Sequence, residues 1–177
     1  LEVIEKGAQV VMVPCDFDLG SPAALAAIDK GLVACSSCAA STSFDIQGVG
    51  PLAFTMATGV HIQGAILAEW AYKQGYRKVW VLLGEDIDFD KKCNMYFQER
   101  WKELGGTVVG EDTFLNADAS IASQITRLKG LAEKPDVLIV HSYPPGGATA
   151  VRQIRAAGID QPIIGSESWD GDFWLDT

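Results

Sequence analysis

The sequence lacks clustered positive charge. Its 14 Lys and Arg residues are outnumbered by 23 Asp and Glu residues, and the formal net charge is −9. Because binding to nucleic-acid phosphates needs clustered Lys and Arg, nucleic acid is excluded as a partner. The longest apolar runs, such as residues 79–83, are far shorter than the roughly 20 residues that cross a bilayer. No signal-peptide pattern is present, so the sequence does not itself indicate in which compartment the protein is located.

The sequence also lacks the signatures of common catalytic and cofactor sites. Residues 165–169, GSESW, do not match the G-x-S-x-G nucleophile elbow, and Gly146-Gly147 lacks the Lys-Ser/Thr ending of a phosphate-binding loop. His61 and His141 stand alone, and His141 is interpreted as a core strand residue because no partner nucleophile is evident. We therefore predict no metal, no cofactor and no enzymatic activity.

Three of the four cysteines fall at the ends of neighbouring predicted strands: Cys15, Cys35 and Cys38. Cys35 and Cys38 have the C-x-x-C spacing of redox and zinc sites, but no second Cys or His pair lies nearby to complete four ligands. We expect the cysteines, including Cys93, to be buried or half-buried free thiols. A disulfide between Cys15 and either Cys35 or Cys38 is the alternative.

An aspartate pair near the start of the chain raises the alternative of phosphoryl chemistry. Asp16-Phe17-Asp18 resembles the pair of haloacid-dehalogenase-type phosphatases, in which one carboxylate attacks phosphorus and the other is a general acid. Gly20 stands where that motif has a hydroxyl residue, which counts against it. The magnesium ligands in this alternative would be Glu85, Asp86, Asp88 and Asp90.

Residues 86–90 also match the first five positions of a calcium-binding loop, D-x-D-x-D. Lys91 replaces the glycine that should follow, and Phe97 replaces the final glutamate, so calcium is rejected. The carboxylates are better explained as solvated groups at a helix N-terminus, where the helix dipole favours negative charge.

Apolar runs of strand length alternate with helical patterns along the whole chain. Strands are predicted at residues 9–14, 32–36, 78–83, 107–114, 136–141 and 162–165, and residues 54–58 are predicted to be a short extended connection. One predicted helix has Ser21 as N-cap and Pro22 in its first position. Another, residues 61–74, has Ile62, Ile66 and Trp70 on one face. The alternation predicts a mostly parallel α/β fold with helices on both faces of the sheet.

Residues 136–169 form the clearest strand–helix–strand unit, in which Gly158 ends the helix in the left-handed conformation. The carboxyl ends of parallel strands lie at the same edge of a sheet, and ligands of open α/β sheets bind beyond that edge. Tyr143 and Glu167 are therefore predicted to emerge side by side at a ligand site.

The predicted strand-end loops contain aromatic and small residues with a few carboxylates. This composition is typical of a small-molecule binding cleft, and it does not provide the nucleophile and base of a catalytic centre. The candidate ligand-binding residues are Phe17, Ser37, Cys38, Ala39, Ala40, Phe89, Tyr143, Glu167 and Trp169.

The chain resembles the type I periplasmic binding proteins, the group of the leucine/isoleucine/valine-binding protein of ABC transporters. The resemblance is carried by VVMVPCDFDLGSPAALAAIDKGLVACSSCAA, GYRKVWVLLGEDIDFDKK, WKELGGTVVGEDTF, NADASIASQITRLKGLAEKPDVLIV and AAGIDQPIIGSESWD, in this order. It implies two α/β lobes that close on a ligand without chemistry, a periplasmic or extracellular location, and an ABC permease as partner.

The resemblance also implies roles for the candidate residues. Phe17 and residues 38–40 fall where the family binds a ligand carboxylate through hydroxyls and backbone N–H groups. Phe89 and Tyr143 fall at aromatic contacts, and Glu167 where an acidic side chain pairs with an amino group. Phe17 and Ala40 depart from the family pattern because they replace hydroxyl residues, and Phe89 replaces the usual Tyr. An amine-bearing solute and a more apolar or aromatic acid therefore both stay open.

The family chain is about twice as long as this one, and residues 1–7 look like the end of a helix, so we interpret the sequence as a fragment. Residues 1–57 are predicted to be part of the N-terminal lobe and residues 58–177 most of the C-terminal lobe. An incomplete first lobe is expected to expose apolar surface and to self-associate through sheet edges. The leading hypothesis is a solute-binding protein of an ABC importer; the alternatives are a ligand-sensing domain of a receptor or regulator, and the phosphatase that uses Asp16 and Asp18.

Overall fold

A computed structural model describes residues 2–171. The chain divides into two compact units, and each unit is made of two separate segments of the chain. The first unit comprises the residues up to Ile62 together with Ile87–Phe89. The second comprises Gln63–Asp86 and the residues from Asp90 onward. No helix in the described range is long and apolar enough to cross a membrane.

The first unit contains a three-stranded parallel sheet with the strand order β1-β2-β3. Its elements are α1 (Glu2–Glu5), β1 (Val10–Val13), α2 (Phe17–Ile28), β2 (Val33–Ser36) and β3 (Ala53–Thr55). The segment predicted to be an extended connection is thus partly a strand, because β3 pairs with β2. No helix separates β2 from β3, so the predicted α/β alternation is interrupted there.

Helix α2 begins earlier than the sequence pattern predicts. Asp16, and not Ser21, is the N-cap, because its carboxylate accepts hydrogen bonds from the backbone N–H groups of Asp18 and Leu19 at 2.8 and 3.2 Å. These bonds satisfy amides that would otherwise lack partners in the first turn. Pro22 consequently lies inside the helix, and the prediction that it occupies the first helical position is wrong.

The sheet of the first unit is covered on one face. Val13 and Ala34 are buried against Ala24 and Ala27 of α2. The residues on the opposite face are exposed, with Met12 at 64% and Phe54 at 54%. Parallel sheets are ordinarily covered on both faces, whereas this sheet leaves apolar side chains exposed on one of them.

The second unit contains a four-stranded parallel sheet with the strand order β5-β4-β6-β7. Its strands are β4 (Lys78–Gly84), β5 (Thr107–Phe114), β6 (Val137–His141) and β7 (Ile163–Ile164). The helices that accompany them are α3 (Val60–Lys73), α4 (Asp88–Glu103), α5 (Ala122–Gly130) and α6 (Gly146–Ala156), followed by a 3-10 turn at Glu167–Trp169. Gly158 ends α6 with a φ of 73°, as predicted.

Successive residues of β4 point into two separate cores. Trp80 and Leu82 pack in a cluster with Ile125 of α5 and Ile154 of α6. Val79, together with Val81, packs on the other side of the sheet in a second cluster. That cluster also contains Ala68 of α3 and Phe97 and Trp101 of α4. Strands buried on both faces are typical of parallel sheets with helices on either side, so the predicted fold class is confirmed.

Helix α3 forms as predicted, but its apolar stripe points outward. Ile66 is 59% exposed and Trp70 48% exposed, whereas Ala68 is fully buried. The small residues face inward because α3 approaches α4 closely: a Cβ on Gly64 would lie 2.7 Å from the Cys93 carbonyl oxygen. Ile62, Ile66 and Trp70 share one face of this helix as predicted, and that face is the exposed one.

This reversed helix face can be tested by substitution. Ala68→Leu adds volume to a fully packed site and should lower the free energy of unfolding by about 1–3 kcal/mol. Ile66→Gln changes a largely exposed side chain and should alter it by no more than about 0.5 kcal/mol. Urea unfolding followed by circular dichroism measures both, and a larger effect from Ile66→Gln than from Ala68→Leu would contradict the assignment.

Candidate ligand-binding site

In the first unit, the loop after β2 folds back on one serine hydroxyl. Ser36 Oγ donates to the Pro14 carbonyl at 3.3 Å and accepts hydrogen bonds from the backbone N–H groups of Cys38 and Ala39 at 3.3 and 3.0 Å. Ala39 and Ala40 are buried beneath the loop, while Ser37 is exposed. This loop is the segment for which the family resemblance implies ligand contacts.

A disulfide joins the carboxyl ends of β1 and β2. Cys15 and Cys38 are bonded, with their Cα atoms 4.8 Å apart. The prediction of free thiols is therefore wrong for these two residues and the disulfide alternative is confirmed, because strand pairing brings the two strand ends together. Cys35 and Cys93 are free, half-buried and buried respectively.

The acidic residues of the first unit act as hydrogen-bond acceptors within the fold. Asp16 caps α2, and Asp18 accepts the backbone N–H of Asp88 at 2.8 Å. Asp88 in turn accepts the hydroxyl of Ser41. Both aspartates of the phosphatase alternative thus have structural partners, and no cluster of metal-ligating side chains occurs among residues 2–171.

The two phenylalanines among the predicted site residues both lie in the first unit. Phe17 is the first residue of α2 and Phe89 the second residue of α4, and both side chains are half-buried. Each ring follows closely on the carboxyl end of a strand, since Phe17 is four residues beyond β1 and Phe89 five beyond β4. Their helices therefore start at the edge where ligands of parallel sheets bind.

In the second unit, one backbone carbonyl organises the predicted ligand edge. The Ser142 carbonyl, just after β6, accepts hydrogen bonds from Ser168 Oγ and Trp169 Nε1, both at 2.9 Å. The indole lies directly on Gly165, since a Cβ there would be 2.2 Å from the ring. This arrangement fixes the 3-10 turn and leaves the side chain of Glu167 exposed.

Tyr143 directly follows the Ser142 carbonyl that holds the turn, and its side chain is half-buried. The structure therefore brings Tyr143 and the turn that carries Glu167 and Trp169 to one edge of the sheet. The Glu167 carboxylate makes no ion pair with any residue in the described part of the chain. A negative group flanked by aromatic side chains is suited to an organic cation or an amino group.

Asn116 is a residue of this edge that the sequence did not single out. Its backbone N–H donates to Asp86 at 2.6 Å, and its Oδ1 accepts the backbone N–H of Gly146 at 2.7 Å. A Cβ on Gly146 would lie only 2.3 Å from that oxygen, so a glycine is needed there. The network joins the loops after β4, β5 and β6. The proline–glycine run at residues 144–147 was the available sign of such a close approach.

Two buried titratable groups lie behind this edge. The thiol of Cys93 has its pKa raised to about 12, mainly by burial and further by the charges of Asp90 and Glu167. Burial lowers the pKa of His141 to about 3. Neither ring nitrogen of His141 has a hydrogen-bond partner among the described residues, and its ring packs edge-on against Phe97. His141 is thus a neutral core residue, as the sequence indicated.

The parallel sheets with helices on both faces are those of a known family. A family model described as periplasmic binding protein matches residues 2–174. The chain belongs to this family. No match to a curated protein sequence was found.

Solved structures of solute-binding proteins share the fold. The leucine-binding protein LivK of Thermotoga maritima is 20% identical, with a TM-score of 0.84 over 98% of this chain and 49% of its own. LivJ of Streptococcus pneumoniae, in complex with isoleucine, is 23% identical, with a TM-score of 0.85 over 98% of this chain and 48% of its own. A solute-binding protein of R. palustris in complex with benzoate is 17% identical, with a TM-score of 0.78 over 93% and 45%. The chain thus spans about half the length of these proteins.

Removal of the disulfide should destabilise the first unit. The bond closes a loop between residues 23 apart in sequence, for which loss of the cross-link costs about 3 kcal/mol. We expect Cys38→Ser and Cys15→Ser each to lower the free energy of urea unfolding by this amount, and the double variant to cost no more. Cys35→Ser is the matched control and should leave stability nearly unchanged. Equal effects of all three single variants would contradict the assignment of the pair.

The buried histidine makes stability depend on pH. The pKa of His141 is about 3 in the folded protein and about 6.5 in an unfolded chain. The unfolded chain therefore binds more protons between these values, so the stability that depends on neutral His141 is complete above pH 6.5 and is lost as the pH falls toward 3.

Between pH 7 and pH 5 this single group should lower the free energy of unfolding by about 2 kcal/mol. Urea unfolding at the two pH values measures the drop. His141→Leu should remove it, whereas substitution of the exposed His61 by Gln should preserve it. An unchanged drop in His141→Leu would show that His141 is not its source.

Proposed function

We propose that the protein is a solute-binding protein that captures a small organic solute for an ABC importer, outside the cytoplasm, without chemical conversion. The fold, the family membership and the structural relatives support this proposal. The relatives whose crystal structures contain a ligand bind isoleucine, leucine, benzoate or hydroxylated benzoates. Docking on a membrane permease and self-association through the open sheet edges of the first unit belong to the same proposal.

The observation that carries the proposal is the turn at Glu167–Trp169. It is held to the Ser142 carbonyl by two hydrogen bonds, which is the kind of preorganised polar group a binding edge needs. In the proposal, Tyr143, Glu167 and Trp169 of the second unit contact the solute. In the first unit, the proposed contact residues are Phe17, Phe89 and the loop of residues 37–40.

The proposal makes no use of a nucleophile. The two free cysteines are half-buried and buried, and the pKa of the Cys93 thiol is raised to about 12 by burial and by the neighbouring acidic charges. A thiol that stays protonated is a poor nucleophile. The buried His141 is neutral and packs in the core, where it reaches no solute. These properties support binding without catalysis.

A solute screen tests the function. Thermal unfolding of the 177-residue chain is followed in the presence of a library of amino acids, amines, organic acids and sugars, and positive solutes are titrated by calorimetry. A solute present at 100 times its Kd stabilises the folded state by about 2.7 kcal/mol, which raises the melting temperature measurably. We expect at least one solute to bind and Tyr143→Ala to weaken it at least tenfold. A library in which no solute binds contradicts the function.

A further inference from the structure

Asn116 ties together two loops at the carboxyl edge of the second sheet. It lies two residues beyond β5, and its side chain is half-buried. Its backbone N–H donates to the carboxylate of Asp86, in the loop after β4, at 2.6 Å. Its Oδ1 accepts the backbone N–H of Gly146, the first residue of α6, at 2.7 Å. One residue therefore connects the loop after β4 to the start of the helix after β6.

Through Gly146, Asn116 provides a cap that α6 does not have in its own sequence. The N-cap residue of α6 is Pro145, whose side chain forms no capping hydrogen bond. An amide at the start of a helix needs an acceptor from outside the helix, and Asn116 Oδ1 is that acceptor for Gly146. The first turn continues directly from Tyr143, because the N–H of Gly147 donates to the Tyr143 carbonyl at 3.0 Å. The cap therefore holds the segment that carries Tyr143.

The loop of Asn116 and the start of α6 are in direct backbone contact. A Cβ on Gly146 would lie 2.3 Å from Asn116 Oδ1, 2.7 Å from its Cα and 2.8 Å from its carbonyl oxygen. No side chain separates the two segments at this point. Because closely packed groups transmit displacement to one another, a shift of the loop would move the start of the helix with it.

Through Asp86, Asn116 is connected to a second predicted contact. Asp86 is the last residue of the second unit before the chain passes into Ile87–Phe89, a segment that ends in a candidate ligand-binding residue. The preceding residue, Glu85, donates its backbone N–H to the carbonyl of Phe114, at the end of β5, at 3.1 Å. The loop after β4 is thus held to the chain around the end of β5 at two successive residues.

The loop that carries Asn116 is itself anchored on α6. The side chain of Gln153, in the middle of that helix, accepts the backbone N–H of Ile121 at 2.9 Å and donates to the Ala119 carbonyl at 3.0 Å. The loop is therefore fixed to α6 both at its start and at its end. Such support from surrounding residues is what keeps contact residues in a productive geometry.

We propose that Asn116 is a positioning residue for solute binding. It acts through its hydrogen bond to Gly146, which holds the segment of Tyr143 in the geometry that binds, and it does not itself contact the solute. This inference rests on the proposed function and adds to it a residue that the sequence did not single out. It makes solute affinity depend on one hydrogen bond behind the contact residues.

Two variants of Asn116 test whether affinity follows this hydrogen bond. The probe is the member of the solute library that binds the unsubstituted protein with the lowest Kd, and exchange of the Gly146 amide hydrogen is measured by NMR without solute. Asn116→Ala removes the acceptor. It should accelerate the exchange severalfold and weaken solute binding at least tenfold, which corresponds to about 1.4 kcal/mol. Asn116→Asp keeps a capping oxygen and loses the side-chain N–H donors, so it should retain both slow exchange and tight binding.

Asn94→Ala is the matched control for general destabilisation. It also removes hydrogen bonds from the second unit, because Asn94 Nδ2 donates to Glu111 at 2.8 Å and its Oδ1 accepts from Gln98 Nε2 at 3.0 Å. We expect Asn94→Ala to lower the melting temperature and to leave solute affinity unaltered. A loss of affinity as large as that in Asn116→Ala would assign the effect to lowered stability and overturn the proposal.

Two further results overturn the positioning role. One is unchanged affinity in Asn116→Ala although exchange of the Gly146 amide has accelerated. The other is weak binding in Asn116→Asp although that exchange stays slow, since the loss would then come from the amide N–H donors and indicate direct contact with the solute.

The solute screen distinguishes failure of this inference from failure of the function. If a library member binds the unsubstituted protein and Asn116→Ala equally well, the function stands and the positioning proposal is overturned. If no member of the library binds the unsubstituted protein, the proposed function fails and the positioning proposal fails with it.

Discussion

The parallel direction of the strands is the constraint on which the rest of the structure depends. Because the strands within each sheet run the same way, their carboxyl ends meet at one edge, and the loops beyond it determine what that edge can bind. The Lys and Arg residues lie outside these loops, whereas acidic residues such as Asp86 and Glu167 lie inside them. In each unit, the parallel direction of the strands thus places acidic, aromatic and small residues at the same edge of the sheet.

Within the second unit, the Ser142 carbonyl converts this general placement into a defined geometry. It accepts hydrogen bonds from the side chains of Ser168 and Trp169. These bonds orient the turn at Glu167–Trp169 and leave the Glu167 side chain exposed. The Asn116 network fixes the neighbouring loop in a comparable way. The side-chain donors of Ser168 and Trp169 thus hold the turn, whereas the Glu167 side chain stays exposed.

Much of the fold could be predicted from local patterns, and the exceptions have tertiary causes. The strands around Val81 and Ile139 are confirmed, because buried parallel strands have sequences that are continuous apolar runs. The outward stripe on α3 could not be predicted, since a helical period does not say which face is buried; the close approach at Gly64 decides it. The start of α2 could not be predicted because Asp16 and Ser21 are both suitable N-cap residues. In the structure Asp16 is the cap and accepts two hydrogen bonds. The Cys15–Cys38 pair and the contacts of Asn116 join residues distant in sequence, and their roles appear only when the strands are paired.

The central claim is that the edge carrying Glu167 binds a small organic solute, and the indole N–H of Trp169, which donates to the Ser142 carbonyl, reports on it directly. In a nitrogen-15-labelled protein its resonance is assigned with Trp169→Phe and followed during titration with the amino acids, amines and organic acids of the solute library. The account predicts a saturating shift with at least one of these solutes. A resonance that shifts with none of them contradicts it.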